Sequence, residues 1–301
     1  MSPRPTRSGF IALAGRPNVG KSTLANAVVG AKVAIVSDKP QTTRRAIRGV
    51  ANGPDWQLVL VDLPGVQRPR DALTERMQRR VEHELEDADV CLFVVNAEEG
   101  IGPGDRFIAR LLGAAKVPVV IAVNKIDRTA RAGTAAALQA AADLDVAEEV
   151  FAVSAATGSG IRSLVDSLVS LLPEGPFYFE PEQRSDQTEA VILAELVREQ
   201  VLARTREEVP HSVEVAIEAI ERGESLRDPD LIRIEAVILA ETESQKRILI
   251  GAGGQMVKSI GIASRRAIER ELSTRVHLDL KVRVRRHWRT DERVLDRLGI
   301  E

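Results

Sequence analysis

The sequence predicts an α/β domain with a mainly parallel sheet, followed by a smaller α+β domain. The first prediction rests on short apolar runs that alternate with amphipathic helical stretches between residues 10 and 172. The second rests on a different order of elements, α-β-β-α-α-β, beyond residue 188. Between these regions, Pro173-Glu174-Gly175-Pro176 cannot continue a helix. We therefore expect domains at 8–173 and 188–301, joined by a linker at 174–187.

Length and composition limit the class of protein. A chain of 301 residues and 32.8 kDa suits two domains, and 44% apolar with 29% charged residues is typical of a soluble globular protein. The longest apolar runs, at 90–95 and 117–123, are far shorter than the roughly 18 residues that a membrane span needs. The N-terminus lacks the apolar core of a signal peptide, so we expect a cytoplasmic protein. The single cysteine, Cys91, cannot form an internal disulfide.

Apolar runs of strand length occur six times in the first domain. Each is separated from the next by a turn or by a stretch with helical periodicity, which favours a parallel sheet covered on both faces. We expect strands at residues 10–14, 47–51, 57–61, 90–95, 117–123 and 150–153.

The second domain is predicted to begin with a helix at 188–206. Alternating apolar residues then predict strands at 212–220 and 231–239. Two helices, at 244–250 and 255–273, flank a cluster of glycines, and a last strand is expected at 276–284.

Basic residues are concentrated near the C-terminus, although the net charge of the chain is only −2. Residues 231–301 hold 15 Lys and Arg side chains against 10 Asp and Glu, and within 246–289 the counts are 12 and 3. Such a surface suits a polyanionic partner. Charge alone also fits a well-solvated helix face, so both interpretations stay open at this point.

Residues 15–22 match the phosphate-binding P-loop pattern GxxxxGK[ST]. They read Gly15-Arg16-Pro17-Asn18-Val19-Gly20-Lys21-Ser22 and lie between a predicted strand and a helix that begins near Lys21, which is the context that the pattern requires. Glycines allow backbone N–H groups to surround phosphate oxygens, Lys21 can reach the β- and γ-phosphates, and Ser22 can bind Mg²⁺.

Two further segments predict the rest of a magnesium and γ-phosphate site. Asp62-Leu63-Pro64-Gly65 follows a strand, where the carboxylate of Asp62 can bind Mg²⁺ through water and the Gly65 N–H can contact a γ-phosphate. Thr42 and Thr43 lie in the polar loop between this segment and the P-loop. One of these hydroxyls, expected to be that of Thr43, can complete the Mg²⁺ shell only while a triphosphate is bound.

Asn124-Lys125-Ile126-Asp127 follows the fifth predicted strand and indicates which base is bound. The Asp127 carboxylate can accept hydrogen bonds from the ring N–H and the amino group of guanine together, and adenine lacks this pair of donors. Backbone N–H groups of Ser154-Ala155-Ala156, after the next strand, can contact the guanine oxygen. We therefore expect GTP and GDP as the ligands.

The glycine cluster Gly251-Ala252-Gly253-Gly254 lies between two predicted helices, and in the α-β-β-α-α-β order it matches the GxxG loop of a KH domain. Glycines there allow an RNA backbone to approach closely. A simple helix C-cap is the alternative. Basic residues on both sides favour RNA, and we expect RNA contacts from the loop and from Lys246, Arg247, Lys258, Arg265 and Arg266.

Taken in order, the motifs GRPNVGKS, TT, DLPG, NKID and SAATG resemble a translation-factor-type GTPase domain. Together with Gln41-Thr42-Thr43-Arg44, Gly9-Phe10 and the C-terminal layout, the chain is similar over nearly its whole length to the bacterial Era family. This resemblance implies a P-loop GTPase domain and a type II KH domain. It also implies binding near the 3′ end of small-subunit (16S) ribosomal RNA and assistance in 30S subunit assembly.

The resemblance also bears on hydrolysis. Ras-type enzymes place a glutamine after the DxxG glycine to orient water; here the residue is Val66, and Era-like GTPases have a hydrophobic residue there. The family resemblance implies that Asn18 could help to hold K⁺ against the phosphates, although a turn-forming asparagine explains it equally well. We expect slow intrinsic turnover that depends on Lys21, Thr43, Gly65 and Asn18.

Two other classes of protein share some of these sequence features. A tandem GTPase would carry two GTPase domains, but only one GK pair, Gly20-Lys21, occurs in a P-loop context. A signalling or membrane GTPase would use the C-terminal domain to bind protein or lipid headgroups. We expect a monomer that binds the 30S subunit, and the sequence leaves peripheral membrane association open.

Overall fold

A computed structural model describes residues 5–39, 42–65, 71–114, 117–222 and 230–300. These residues form two compact units. The second unit takes Gln187–Ile300 together with the short segment Asp71–Leu73, and the first takes the other described residues. In the part of the chain so described, no helix is long and apolar enough to cross a bilayer.

The first unit is built on a six-stranded sheet in the order β2-β3-β1-β4-β5-β6. Among the pairings of these described strands, only β2–β3 is antiparallel, so the mainly parallel sheet is confirmed. Because the strands are buried on both faces, they are nearly continuous apolar runs. Their bounds are Arg7–Ala14 (β1), Ile47–Asn52 (β2), Trp56–Asp62 (β3), Val90–Asn96 (β4), Val119–Asn124 (β5) and Glu149–Ala152 (β6).

In the described part of this unit, five α-helices cover the sheet and create two apolar layers. Alternate residues of β1 point into opposite layers: Ile11 and Leu13 into one, Ala12 and Ala14 into the other. Since parallel strands end at one edge, the loops that follow β1, β3, β5 and β6 meet there. The helices are Lys21–Val29 (α1), Ala72–Glu86 (α2), Pro103–Ala114 (α3), Arg131–Ala142 (α4) and Ile161–Leu171 (α5).

Most of the predicted linker lies against the first unit. Glu174 and Ser185 each form an isolated β-bridge with this unit. The buried amide of Gln57 accepts hydrogen bonds from the N–H groups of Tyr178 and Phe179 at 2.8 and 3.0 Å, and donates one to the Phe179 carbonyl at 2.8 Å. The segment has little regular secondary structure, yet its backbone is held by specific polar contacts.

The second unit has a three-stranded sheet in the order β7-β8-β9, with β7 antiparallel and β9 parallel to β8. The α-β-β-α-α-β order is confirmed, with a single helical turn (α7) and a short terminal helix (α10) added. The elements are Glu189–Arg204 (α6), Val209–Ser212 (α7), Glu214–Glu221 (β7), Leu231–Ala240 (β8), Glu243–Ile250 (α8), Gln255–Leu272 (α9), Arg275–Val284 (β9) and Glu292–Arg297 (α10).

Candidate functional site

The P-loop connects β1 to α1, and two of its glycines cannot be replaced without strain. Gly15 has φ +151°, and a Cβ atom there would lie 2.5 Å from the carbonyl oxygen of Val94. Gly20 has φ +99°, and a Cβ there would collide with the Asn124 side chain. Helix α1 begins at Lys21, as predicted, and no side chain of the described residues caps its first turn. Its free N–H groups are therefore available to an anion.

The Lys21 ammonium is almost completely buried at the base of this loop. Its Nζ donates to the carbonyl oxygens of Gly15 and Arg16, each at 3.1 Å. Burial lowers the pKa of Lys21 from 10.5 to about 8, although the nearby charge of Asp62 raises that pKa. Lys21 is thus a buried ammonium group that two carbonyls hold where the loop can bind phosphates.

Three predicted magnesium ligands, from three separate segments of the chain, lie together. Ser22 Oγ donates to Asp62 Oδ2 at 2.6 Å, and Thr43 Oγ1 lies 3.1 Å from Ser22 Oγ and 3.3 Å from Asp62 Oδ2. Burial raises the pKa of Asp62, while the charge of Lys21 and the two hydroxyl hydrogen bonds lower it. Asp62 Oδ1 is buried with no hydrogen-bond partner among the described residues. Hydroxyl and carboxylate oxygens with a vacant buried acceptor suit Mg²⁺.

Gly65 brings the segment after β3 against the P-loop. A Cβ on Gly65 would lie 2.8 to 3.0 Å from atoms of Pro17, so this close approach needs a glycine. Leu63 is fully buried and anchors the segment in the core. Val66 lies outside the described residues, as does Gln41.

The predicted base-binding residues form a connected network. Asn124 Nδ2 donates to the Val19 carbonyl at 3.0 Å, and Asn124 Oδ1 accepts from the Ala155 N–H at 3.0 Å. Lys125 Nζ donates to the Asn18 carbonyl at 2.6 Å, and burial is the main cause that lowers the pKa of Lys125. Asn124 therefore joins the P-loop to the 154–156 segment, which is a structural role that the motif alone did not reveal.

A cavity of about 300 Å³ lies beside the P-loop, and the described residues that line it do not include Asp127 or residues 154–156. Its lining includes predicted residues, among them Pro17, Lys21 and Gly65, and also residues that sequence reasoning missed. Asn18 Nδ2 donates to the Asp38 carbonyl at 2.8 Å, which fixes part of this wall. For most of the missed residues, the only signal in the sequence is that they lie in the chain between the P-loop and Thr43. The residues not predicted are Thr23, Ile35, Val36, Ser37, Asp38 and Arg128.

The GAGG loop of the second unit has the backbone geometry that needs glycine. Gly251, Gly253 and Gly254 have φ of +71°, +58° and +77°. A Cβ on Gly251 would lie 2.7 Å from the Met256 Cβ, whereas Gly253 and Gly254 face open space. The loop therefore leaves room for a backbone to approach at Gly253 and Gly254, and Ala252 beside them is exposed.

The predicted RNA-binding side chains do not all share one surface. Lys258 and Arg265 lie along a groove between α9 and β9, whose floor includes Ile262 and Leu280. Arg266 lines a separate groove with Gln200 of α6. Lys246 is half-buried and Arg247 exposed on α8, before the loop. The two adjacent arginines of α9 thus line different grooves.

Family models match both units. Residues 10–125 match the 50S ribosome-binding GTPase family, and residues 208–289 match the KH domain family. The chain is 45% identical to GTPase Era of Mycobacterium tuberculosis over 296 residues, covering 97% of this chain and 98% of that protein. It is 46% identical to GTPase Era of Carboxydothermus hydrogenoformans, with 95% of each chain covered.

Solved structures agree with these relatives. A crystal structure of Era in complex with MgGDPNP and nucleotides 1506–1542 of 16S ribosomal RNA aligns with a TM-score of 0.93 and 35% identity, over 98% of this chain and 99% of that one. A single-residue variant of Aquifex aeolicus Era bound to GDP and AlF₄⁻ aligns with the same TM-score of 0.93 at 34% identity, over the same shares of the two chains.

The fold and the site define a P-loop GTPase domain followed by a KH domain. Identity at this level over nearly the full length then settles the family: the chain belongs to the Era family of GTPases.

Proposed function

We propose that this protein binds and hydrolyses GTP, and that its nucleotide state controls binding near the 3′ end of 16S ribosomal RNA during 30S subunit assembly. The observation that carries the proposal is a cavity lined by Lys21, Ser22 and Thr43, with Asp62 hydrogen bonded to Ser22 and Thr43. The same chain also presents an open GAGG loop. The related Era structure with MgGDPNP and 16S ribosomal RNA supports the combination.

Each group of site residues has a distinct task in this proposal. The backbone N–H groups of the 15–20 loop, where Pro17 has none, and the Lys21 ammonium bind phosphates, and Asp127 with residues 154–156 binds guanine. Ser22, Thr43 and Asp62 would hold Mg²⁺, which neutralises charge on the phosphates. Thr43 and Gly65 belong to segments that a γ-phosphate can order, and loss of that phosphate releases them.

A potassium ion near Asn18 is a further part of the proposal. In the structure the Asn18 amide donates to the Asp38 carbonyl, so its Oδ1 is the atom that could face a cation. Turnover should then be faster in potassium than in sodium salts, and Asn18→Ala should remove the difference. Equal turnover of the wild-type protein in both salts would contradict this assignment.

The RNA part is tested by affinity for single-stranded RNA with the sequence of the 16S 3′ end. Binding should be tighter with a non-hydrolysable GTP analogue than with GDP, and an RNA of scrambled sequence is the control. A role on ribosomal subunits also requires that the protein is in the cytoplasm. The protein should co-sediment with 30S particles, and ribonuclease treatment should abolish this co-sedimentation. RNA affinity that is equal for both sequences would contradict the proposed target.

A further inference from the structure

The side chain of Arg16, at the second position of the P-loop motif, points away from the nucleotide cavity and toward the start of α3. Its Nε contacts both carboxylate oxygens of Asp105 at 2.9 and 2.8 Å, and a terminal nitrogen lies 3.1 Å from a Glu99 carboxylate oxygen. The guanidinium of Arg16 is thus engaged by two carboxylates. The predicted part of Arg16 in nucleotide binding, as a variable position of the P-loop pattern, is therefore one for its backbone.

Asp105 is a specific partner for this arginine. Its side chain is fully buried, and its Oδ2 also accepts a hydrogen bond from the Gly102 N–H at 2.8 Å. A buried carboxylate needs such compensation, because removing its partner leaves an unpaired charge inside the protein. Glu99 in turn accepts from Asn96 Nδ2 at 2.7 Å, which connects the cluster to the end of β4.

Gly104 provides the space for the arginine stem. A Cβ atom at this position would lie 2.7 Å from Arg16 Cδ and 3.2 Å from Arg16 Cγ. Glycine is a poor helix former, and alanine would favour α3 if helix formation were the only demand. Since the guanidinium is held by Asp105, the stem cannot simply move aside.

The same arginine is directly connected to the phosphate-binding groups. Its own carbonyl oxygen accepts one of the two hydrogen bonds that hold Lys21 Nζ, and its peptide lies among those of the P-loop. A displaced Arg16 stem can therefore be transmitted, through its own backbone, to the carbonyl that orients Lys21.

We propose that Arg16, held by Asp105 and seated on Gly104, is a positioning residue that orders the P-loop before nucleotide binds. The inference rests on the proposed function, because it concerns the affinity of the same site. A loop ordered in advance loses less conformational entropy on binding, so the benefit is an affinity for GDP and GTP alike.

The test is Gly104→Ala, with Gly113→Ala as the matched control. Both glycines lie in α3, but among the described residues a Cβ at position 113 would meet only Val146 Cγ1, at an ordinary 3.5 Å. We expect Gly104→Ala to weaken GDP and GTP binding by about tenfold each while leaving kcat at saturation nearly unchanged. The thermal unfolding midpoint should change little, because the gain in helix propensity from alanine offsets strain at Arg16. A weaker site in an equally stable protein is not what a merely structural role would produce.

A double-mutant cycle tests the contact itself. Asp105→Asn removes the carboxylate charge that holds Nε and leaves the Glu99 contact, so the stem can yield more easily to a methyl group at position 104. The loss of affinity caused by Gly104→Ala should therefore be smaller in the Asp105→Asn protein than in the wild type. Fully additive losses of nucleotide affinity would mean that Gly104 and Asp105 do not act through the same contact with Arg16.

The outcomes separate this inference from the function on which it rests. Wild-type protein that bound no guanine nucleotide would overturn both. Wild-type binding that was unaffected by Gly104→Ala would overturn the positioning role alone. Equal losses in the Gly104→Ala and Gly113→Ala proteins would also overturn it, since the effect would then belong to the helix rather than to Arg16.

Discussion

Ser154 Oγ donates a hydrogen bond of 2.6 Å to Asp127 Oδ1, although the two residues follow different strands. The same hydroxyl oxygen accepts from the Thr157 N–H at 3.2 Å. The carboxylate is thereby oriented from one side, which leaves Oδ2 for a ligand. Base recognition thus depends on the 154–157 turn as well as on the Asn124-Lys125-Ile126-Asp127 segment.

Asp127→Asn is expected to change the preferred base. An amide presents a donor where the carboxylate accepts, so the affinity for xanthine nucleotides should rise. The preference for GTP over nucleotides of other bases, about 10⁴-fold where it depends on such buried hydrogen bonds, should be lost. Ser154→Ala should weaken GTP binding less than Asp127→Asn does, and guanine should remain the preferred base, because only the hydrogen bond that orients Asp127 is removed. Competition among GTP, XTP and ATP measures both effects. Unchanged GTP selectivity in Asp127→Asn would rule out the assignment.

The pKa of Lys21 predicts how nucleotide affinity changes with pH. In the nucleotide-free protein this pKa is about 8, and phosphate binding favours the protonated form. Affinity for GDP should therefore fall as pH rises from about 7 to about 9, approaching tenfold per unit above the pKa. Lys21→Met should bind weakly and show a nearly flat profile. The same flat profile in the wild-type protein would disprove the prediction.

The same group also affects folding in the absence of nucleotide. Between pH 8 and 10.5 the unfolded chain retains a proton that the folded chain has released. The titration of Lys21 therefore increases the free energy of unfolding, and so stabilises the folded state, as pH rises through that window. Comparing chemical denaturation of wild type and Lys21→Met over that range isolates it.

Ser22→Ala should raise the Mg²⁺ concentration needed for tight GTP binding. The substitution removes one hydroxyl from the Ser22, Thr43 and Asp62 cluster, and loss of a metal-site group typically costs about tenfold or more in metal affinity. Thr23→Ala is the matched control, because Thr23 lines the same cavity but is not part of that cluster. The measurement is GTP affinity as a function of Mg²⁺ concentration for the wild type and both variants. A wild-type titration curve for Ser22→Ala would remove this residue from the metal site.

Local sequence patterns were sufficient for the motifs, but not for their connections. The P-loop, the start of α1 at Lys21 and the α-β-β-α-α-β order follow from short-range periodicity and glycine placement. The bridging role of Asn124 does not, because its partners Val19 and Ala155 are 105 and 31 residues away. The contact of Arg16 with Asp105 spans 89 residues and is equally invisible in the sequence.

The linker shows the same limit for the fold. Proline, glycine and glutamate around residue 175 correctly indicate that no helix continues, since proline and glycine oppose helical backbone. Composition does not reveal that Gln57, buried 122 residues before Phe179, supplies hydrogen bonds to this segment. Irregular secondary structure and free movement are separate properties, and only the first can be recognised from residue types.

A charge at the GAGG loop should separate RNA binding from nucleotide binding. Gly253 faces open space with a left-handed backbone that Asn and Asp tolerate better than other side chains. Gly253→Asp should therefore fold and repel an RNA backbone, while Gly253→Asn has the same shape and backbone strain without the charge. We expect a larger loss of RNA affinity for Asp than for Asn and unchanged GDP binding in both. Equal RNA affinities for wild type and Gly253→Asp would mean that the loop is only a helix connection.

Gly251 is a less suitable site for that experiment. A Cβ there would lie 2.7 Å from the Met256 Cβ and 2.9 Å from the Met256 backbone nitrogen. Gly251→Asp should consequently disturb the start of α9 and lower the unfolding midpoint, so a loss of RNA binding would have two causes. Thermal unfolding of Gly251→Asp beside Gly253→Asp should show this difference.

Arg265 and Arg266 offer a paired test of which side of α9 the RNA follows. The groove that contains Arg265 also contains Lys258, one turn after the GAGG loop, and its apolar floor at Ile262 and Leu280 suits unstacked bases. Arg266 faces α6 instead. Arg265→Gln should therefore weaken binding of single-stranded RNA and reduce the salt slope by about 0.7, the value for one lost phosphate contact, while Arg266→Gln should change either quantity much less. The measurement is RNA affinity across a salt series for both variants. A larger effect of Arg266→Gln would place the RNA on the α6 side of the helix and contradict the expected path.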